Sequence, residues 1–262
     1  MVFYNHRAPV IKALFSADGE RILALSRTEH KSKQNKNMSW GTVAHIWDAK
    51  TGAEIALLGD HKTPFLQTVF SPDGNRILTT SQHDKDARLW DGKTSLEIAV
   101  LGDHEHHARL QTFSEDSRRV LTFSRDRQTI RVWDAQTGQK IRILRDKISF
   151  SSAAFSPNAQ HVFTTARDGS AKLWDLHTGE IVTSYAARGH FLVNGLFMPN
   201  KQQILTLDAE GRVQLWPYYK DDKALLGQAQ AIVAKLQPLT SEEKCRYKIA
   251  SSAACANNNH SR

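Results

Sequence analysis

The sequence predicts an all-β repeat protein, and three observations carry the prediction. A Trp-Asp pair recurs at Trp47-Asp48, Trp90-Asp91, Trp133-Asp134 and Trp174-Asp175, and a fifth copy stands as Trp216-Pro217, at intervals of 43, 43, 41 and 42 residues. Within each interval, apolar or β-branched segments of strand length alternate with turn residues. Thr51-Gly52, Thr137-Gly138 and Thr178-Gly179 follow their tryptophans at the same offset and read as tight hairpins. A period of this length means that one supersecondary unit has been copied, so 262 residues need not divide into two unrelated domains.

The second copy shows the unit best. Residues 66–70 form a strand, Ser71-Pro72-Asp73-Gly74 a turn with Pro and Gly in favourable places, and 76–80 the next strand. Residues 87–90 supply a third strand and 96–101 a fourth. Four short antiparallel strands per unit make one blade of a β-propeller, which avoids long exposed edges by packing its blades around an axis. The copies span about 6–58, 61–101, 104–144, 149–184 and 190–223.

These units resemble WD40 repeats over roughly residues 6–223. Gly59-Asp60-His61, Gly102-Asp103-His104 and Gly189-His190 stand where that family has its Gly-His element. The resemblance implies a hydrogen-bonded network of His, Ser or Thr, a turn Asp and the Trp within each blade. Carried over, the network comprises His61, Thr80 or Ser81, Asp84 and Trp90 in the second copy, with His104 and Trp133, Asp168 and Trp174, and His190 and Trp216 from the later ones. The fourth copy has Arg145-Asp146-Lys147 in place of Gly-His, the fifth has Glu210 for the turn Asp, and in the third Asp126 sits one residue farther from its Trp. Those blades are expected to fold without the complete network.

Both ends depart from the repeat. The fifth copy lacks a fourth strand. From Asp222, Leu225, Leu226, Ala229, Ile232, Val233 and Leu236 recur at helical spacing, and Thr240-Ser241-Glu242-Glu243 forms a capping box for a second short helix. Residues 224–250 are therefore expected as a helical extension and 251–262 as a disordered tail. This ending resembles bacterial WD40 proteins in which the propeller is the C-terminal sensor of a larger multidomain signalling protein. The matching residues are Trp216-Pro217, Ala224-Leu225, Leu239-Thr240, Glu242-Glu243 and Tyr247. Two arrangements stay open: a closed five-bladed ring capped by the helices, or an incomplete larger ring whose open blade edges pair with another chain to give a homo-oligomer.

No constellation of catalytic residues is predicted. Ser, His and Asp recur with the repeat, whereas an enzyme needs a single preorganised set. The glycines lie in turns and form no phosphate loop. His104, Glu105, His106 and His107 invite a zinc reading, but His106 and His107 alternate across a strand and would not converge. Neither a metal nor a cofactor is expected. Cys245 and Cys255 lie outside every blade, and neither a signal peptide nor an apolar run of membrane-spanning length is evident. The expectation is a cytoplasmic protein with no membrane partner.

The net charge of +8 permits anionic partners through steering, yet without aromatic residues presented for base stacking a nucleic-acid role is disfavoured. Basic residues concentrate in an insertion, about 26–41, between the second and third strands of the first blade. Arg27, Lys31, Lys33, Lys36 and Trp40 lie there, and the segment reads either as a binding loop or as a solvated excursion. Arg27, His83, Arg125, Arg167 and Ala209 occupy equivalent places just before the third strands. They form the candidate interaction surface of a noncatalytic scaffold that binds a protein partner. The alternative function is the sensor portion of a larger signalling protein.

Overall fold

A computed structural model describes residues 9–31, 38–58, 65–81, 85–102, 108–124, 127–186, 190–198 and 203–218. Among these residues are nineteen strands in five antiparallel sheets, and no helix. The first sheet contains β1 (Val10–Phe15), β2 (Arg21–Lys31), β3 (Met38–Asp48) and β4 (Glu54–Leu58). The second contains β5 (Phe65–Phe70), β6 (Arg76–Ser81), β7 (Ala87–Asp91) and β8 (Glu97–Leu101). The third is β9 (Arg109–Phe113), β10 (Arg119–Phe123), β11 (Thr129–Asp134) and β12 (Lys140–Arg145), and the fourth is β13 (Phe150–Phe155), β14 (His161–Ala166), β15 (Ser170–Asp175) and β16 (Ile181–Ala186). The fifth has three strands among the described residues, β17 (Leu192–Phe197), β18 (Gln203–Asp208) and β19 (Val213–Pro217). The chain divides into two units, Met1–Trp216 and Pro217–Arg262. The expected helices at 224–250 and the tail at 251–262 lie outside the described residues.

The first four sheets are four-strand meanders because their turns are chemically specified. Between first and second strands, Ser16, Ser71, Ser114 and Ser156 each donate a hydroxyl to the carboxylate or amide oxygen two residues on, at 2.5 to 2.7 Å. The same hydroxyls accept the amides of Arg21, Arg76, Arg119 and His161. Between third and fourth strands, Asp91 accepts the amides of Lys93 and Thr94, and Asp48, Asp134 and Asp175 do the same. The Asp of each Trp-Asp pair is thus a turn cap. Gly52, Gly138 and Gly179 take the positive φ these turns require; in the second sheet Ser95 adopts it, at φ 61°.

The core lies between sheets. Leu23, Leu25, Ala44, Ile46 and Leu58 of the first sheet pack on Phe65, Phe70, Ile77 and Trp90 of the second. The second sheet in turn offers Leu78, Ala87, Leu89 and Leu101 to Ala108, Phe113, Val120 and Trp133. The third offers Leu121, Phe123, Ile130, Val132 and Leu144 to Phe150, Val162 and Trp174. One face of each interior sheet therefore serves the sheet before it and the other the sheet after it. First strands of neighbouring sheets approach one another, β1 to β5, β5 to β9 and β13 to β17, as radial packing demands.

Polar ties reinforce the boundaries. The Arg21 guanidinium donates to the Gly92 carbonyl, and Arg76 Nε donates to the Ala135 carbonyl at 3.2 Å. Both acceptors lie two residues past the next sheet's tryptophan. At the fourth boundary, Gly195 N–H donates to Ser152 Oγ at 3.0 Å, and that hydroxyl also contacts Thr165 at 2.8 Å. A Cβ on Gly195 would lie 2.5 Å from Phe163, so only glycine allows β17 this close. Phe163 meets Phe197, and Tyr185 meets Trp216, edge to face.

The insertion in the first blade is neither a loop nor an irregular excursion where it is described. Pairing of β2 with β3 continues through Arg27↔Thr42 and Glu29↔Trp40 to Lys31↔Met38. A backbone ladder needs no apolar side chains, so a polar segment can extend a hairpin.

Candidate functional site

In the second to fifth blades, the tryptophan and a threonine form the recurring polar pair. Trp90 Nε1 donates to Thr79 Oγ1 at 2.8 Å, and Trp133, Trp174 and Trp216 donate to Thr122, Thr164 and Thr206 at 2.8 to 2.9 Å. The partner of Trp90 is Thr79 rather than Thr80 or Ser81. Ile77 is paired opposite Trp90, and period two places Thr79 on the same sheet face as Ile77 and Thr80 on the other. In the first blade Ala24 stands where these threonines stand. His61, Asp84 and His104 lie outside the described residues.

The departures in the fourth and fifth copies have local solutions. Asp146, in place of the Gly-His element, has its side chain largely covered and pairs with Lys172 at 2.5 Å. Asp168 caps its turn by accepting the amide and hydroxyl of Ser170. In the fifth blade Asp208, not Glu210, holds the turn, accepting the amides of Glu210 and Arg212 at 3.0 and 2.8 Å. Glu210 instead lies at the surface, 3.5 Å from His190.

The basic residues two positions before the tryptophans do not share a role. Arg88 pairs with Glu97 and His45 with Glu54 across the third and fourth strands. In the third blade Lys140 occupies the acid's position and Arg131 is buried, while Lys172 turns to Asp146.

Three residues of the candidate interaction surface are described as exposed, and one backbone interaction places all three. Arg27 N–H donates to Pro9 O, Arg167 N–H to Ser149 O and Ala209 N–H to Phe191 O. Each bond ties the residue six positions past the start of the second strand, inside β2 for Arg27 and just after β14 and β18 for Arg167 and Ala209, to the residue leading into the first strand, so these positions are structural equivalents on the same end of their blades. Arg167 and Ala209 also meet at Phe191: the guanidinium carbon stands 5.7 Å from the ring centroid, and the Phe191 backbone carbonyl accepts the Ala209 amide. Lys31 ends β2, and Trp40 is paired with Glu29 within the extended hairpin. Lys33, Lys36, His83 and Arg125 lie outside the described residues.

Phe191 was not among the sequence candidates; its signal is an aromatic residue directly after Gly189-His190. Beside it, His190, Asp208 and Glu210 bring potential metal ligands within 4.8 Å of one another. Arg212 fills this cluster, with nitrogens 3.1 Å from both imidazole nitrogens and 3.4 Å from Asp208. A neutral imidazole has one acceptor, so only one of the two His190 contacts is a hydrogen bond. The guanidinium supplies the positive charge that the two carboxylates require. The histidine-rich segment 104–107 lies outside the described residues.

At the opposite end of the blades, a groove of about 620 Å³ runs between the second and third sheets, bordered by Arg76, Lys93, Arg118 and the turn aspartates. Burial alone would raise the Asp91 carboxyl, but the amides of Thr94 and Lys93 outweigh it and hold the group below its ordinary value. Asp134 is lowered in the same way by Thr137. The Ser16 hydroxyl and the Glu20 amide hold Asp18 at about 2. These low values reflect turn capping, which accounts for the acidic residues without catalysis.

Two segments match a WD40 family model. The model describes a WD domain, G-beta repeat, and covers residues 52–91 and 138–175. Each match runs from the fourth strand of one sheet through the third strand of the next, so the WD40 sequence unit is staggered against the blade. The matches support the WD40-repeat family, whose domains generally act as protein-interaction scaffolds. No curated protein matches the chain. No helix among the described residues is long and apolar enough to cross a membrane.

Proposed function

We propose that this protein is a noncatalytic scaffold that binds a protein partner through the blade ends where second and third strands meet. The carrying observation is the shared backbone bond that sets Arg27, Arg167 and Ala209 on equivalent exposed corners while their side chains differ. A repeated frame with non-repeated corners presents a rigid, individually variable surface, and the Arg167–Phe191 pair adds a cationic and an aromatic group of the kind that anchors interfaces. The extended β2–β3 hairpin lengthens this end of the first blade. Charge reversal at such a surface is expected to weaken association by about tenfold or more. The test is quantitative capture of a cross-linked partner by wild type and by the Arg27→Glu, Arg167→Glu, Ala209→Arg triple variant. Lys93→Glu, at the opposite end, serves as the control. Equal capture by wild type and the triple variant would remove these blade ends from the binding surface. If capture instead disappears at physiological salt whatever the sequence of the partner, the surface is only a generic anion attractor.

A second reading makes the array the ligand-sensing portion of a larger signalling protein. The ending with Trp216-Pro217, Ala224-Leu225 and Leu239-Thr240, which resembles that of such proteins, favours it. Continuation of the coding sequence upstream into further repeats would support it.

A further inference from the structure

The two end faces of the array are the two halves of the interface that joins its interior sheets. Each interior boundary is made by an apolar trailing face, formed by the residues one and three positions before the tryptophan and their neighbours. It packs on a leading face that carries the phenylalanine closing the next first strand. Ala44 and Ile46, Ala87 and Leu89, and Ile130 and Val132 are fully buried in this way. Their equivalents in the fifth sheet, Val213 and Leu215, are 59% and 52% exposed, and Leu196 of β17 is 51% exposed beside them. The leading face shows the converse. Phe70 and Phe113 are 8% exposed, whereas Phe15, which closes β1, is 68% exposed, and Val10 is 44% exposed where Phe150 is wholly buried.

We propose that a second copy of this chain covers these faces, the trailing face of the fifth sheet in one copy seating on the leading face of the first sheet in the other. The partner is identified by continuity: the chain already makes this contact at its interior boundaries with the same residue classes, and a second copy presents the matching half. Large apolar side chains grouped on two sheet faces are a sticky surface in water, whereas single exposed ones are unremarkable. Because the joined faces differ, the contact is heterologous, and it propagates unless geometry closes it. It uses sheet faces rather than strand edges or blade ends, so its outcome is separate from that of the partner-binding test.

The experiment is absolute mass by light scattering across a dilution series of the full 262-residue chain. Wild type is expected to rise above 29.5 kDa with concentration. Leu215→Glu, which blocks only the trailing face, and Phe15→Glu, which blocks only the leading face, are each expected to stay at the single-chain mass. Mixed in equal amounts, they retain one intact face apiece and are expected to form a species of twice that mass and no larger. This complementation also shows that both variants are folded. A wild type that stays at 29.5 kDa throughout, a single variant that still associates, or a mixture that remains monomeric overturns the proposal.

Discussion

Val132 and Leu215 occupy the same place in their repeats, one residue before a tryptophan that donates to a threonine, yet the first is wholly buried and the second half exposed. The bond between tryptophan and threonine is therefore made in both the third and fifth sheets, whereas burial of the residue before the tryptophan follows the neighbouring sheet. Formation of a blade and burial of a blade are separate properties in this protein. The first is encoded within some forty residues, whereas the second depends on the next copy, as in other quasi-one-dimensional arrays.

Removing the tryptophan from each region sharpens the contrast most. Trp133→Ala, which deletes a buried ring packed against the preceding sheet, is expected to cost about 3–5 kcal/mol in denaturant unfolding. Trp216→Ala, where the ring is only partly buried, should cost distinctly less. Equal losses would mean that the fifth sheet is as well supported as the third. At the position just before the tryptophan, Leu173→Ala should cost about 2–5 kcal/mol, because it opens a cavity at a wholly buried position. For Leu215→Ala the expected change is within about 0.5 kcal/mol, as for an exposed surface residue. Gly195→Val forces β17 away from Phe163 and is expected to cost about 1–3 kcal/mol; faster amide exchange in β17 and β18 than in β10 and β11 would locate the damage.

The strand pattern was legible in the sequence because a two-residue alternation and well-marked turns leave little choice of element. In the second copy the predicted and observed strands agree to within about a residue at each end. Partner choice within a blade was less legible. Thr79 and Thr80 are adjacent and chemically equal, and only the register against Trp90 selects between them. The Arg21 and Arg76 ties could not be read at all, since their acceptors are backbone carbonyls of another sheet with no side-chain signature. The candidate surface was half legible: equivalent positions were found by counting from the tryptophans, but Phe191 comes from a different strand connection and joins Arg167 and Ala209 only in space.

Two smaller effects probe the turns. Ser95→Gly removes a left-handed serine where the other repeats use glycine, and is expected to stabilise by about 0.5–1 kcal/mol, read as a higher unfolding midpoint with an unchanged slope. Acid titration should show two successive losses. Burial keeps His161 below its ordinary value of 6.5 despite the nearby Asp175. Below 6.5 the unfolded chain therefore binds the proton more readily, and stability declines as pH falls into the range beneath it. The turn aspartates are depressed below 3.8, so their contribution is complete above that value and disappears as pH falls through their lower folded values. His161→Gln should remove the first loss and leave the second, measured as melting temperature against pH.

The arginine ties also impose a timetable on synthesis. Arg21 reaches forward to the carbonyl of Gly92, a residue that leaves the ribosome only after the third strand of the following sheet. Arg76 likewise waits for Ala135. A nascent sheet can form its ladder at once and hold Arg21 on Asp18 or Arg76 on Asp91, but the carbonyl that ties the guanidinium to the next sheet is missing until that sheet has been made. Each arginine therefore works as a late check on the neighbour downstream, and pausing translation between two repeats would leave the earlier one formed but not yet fastened.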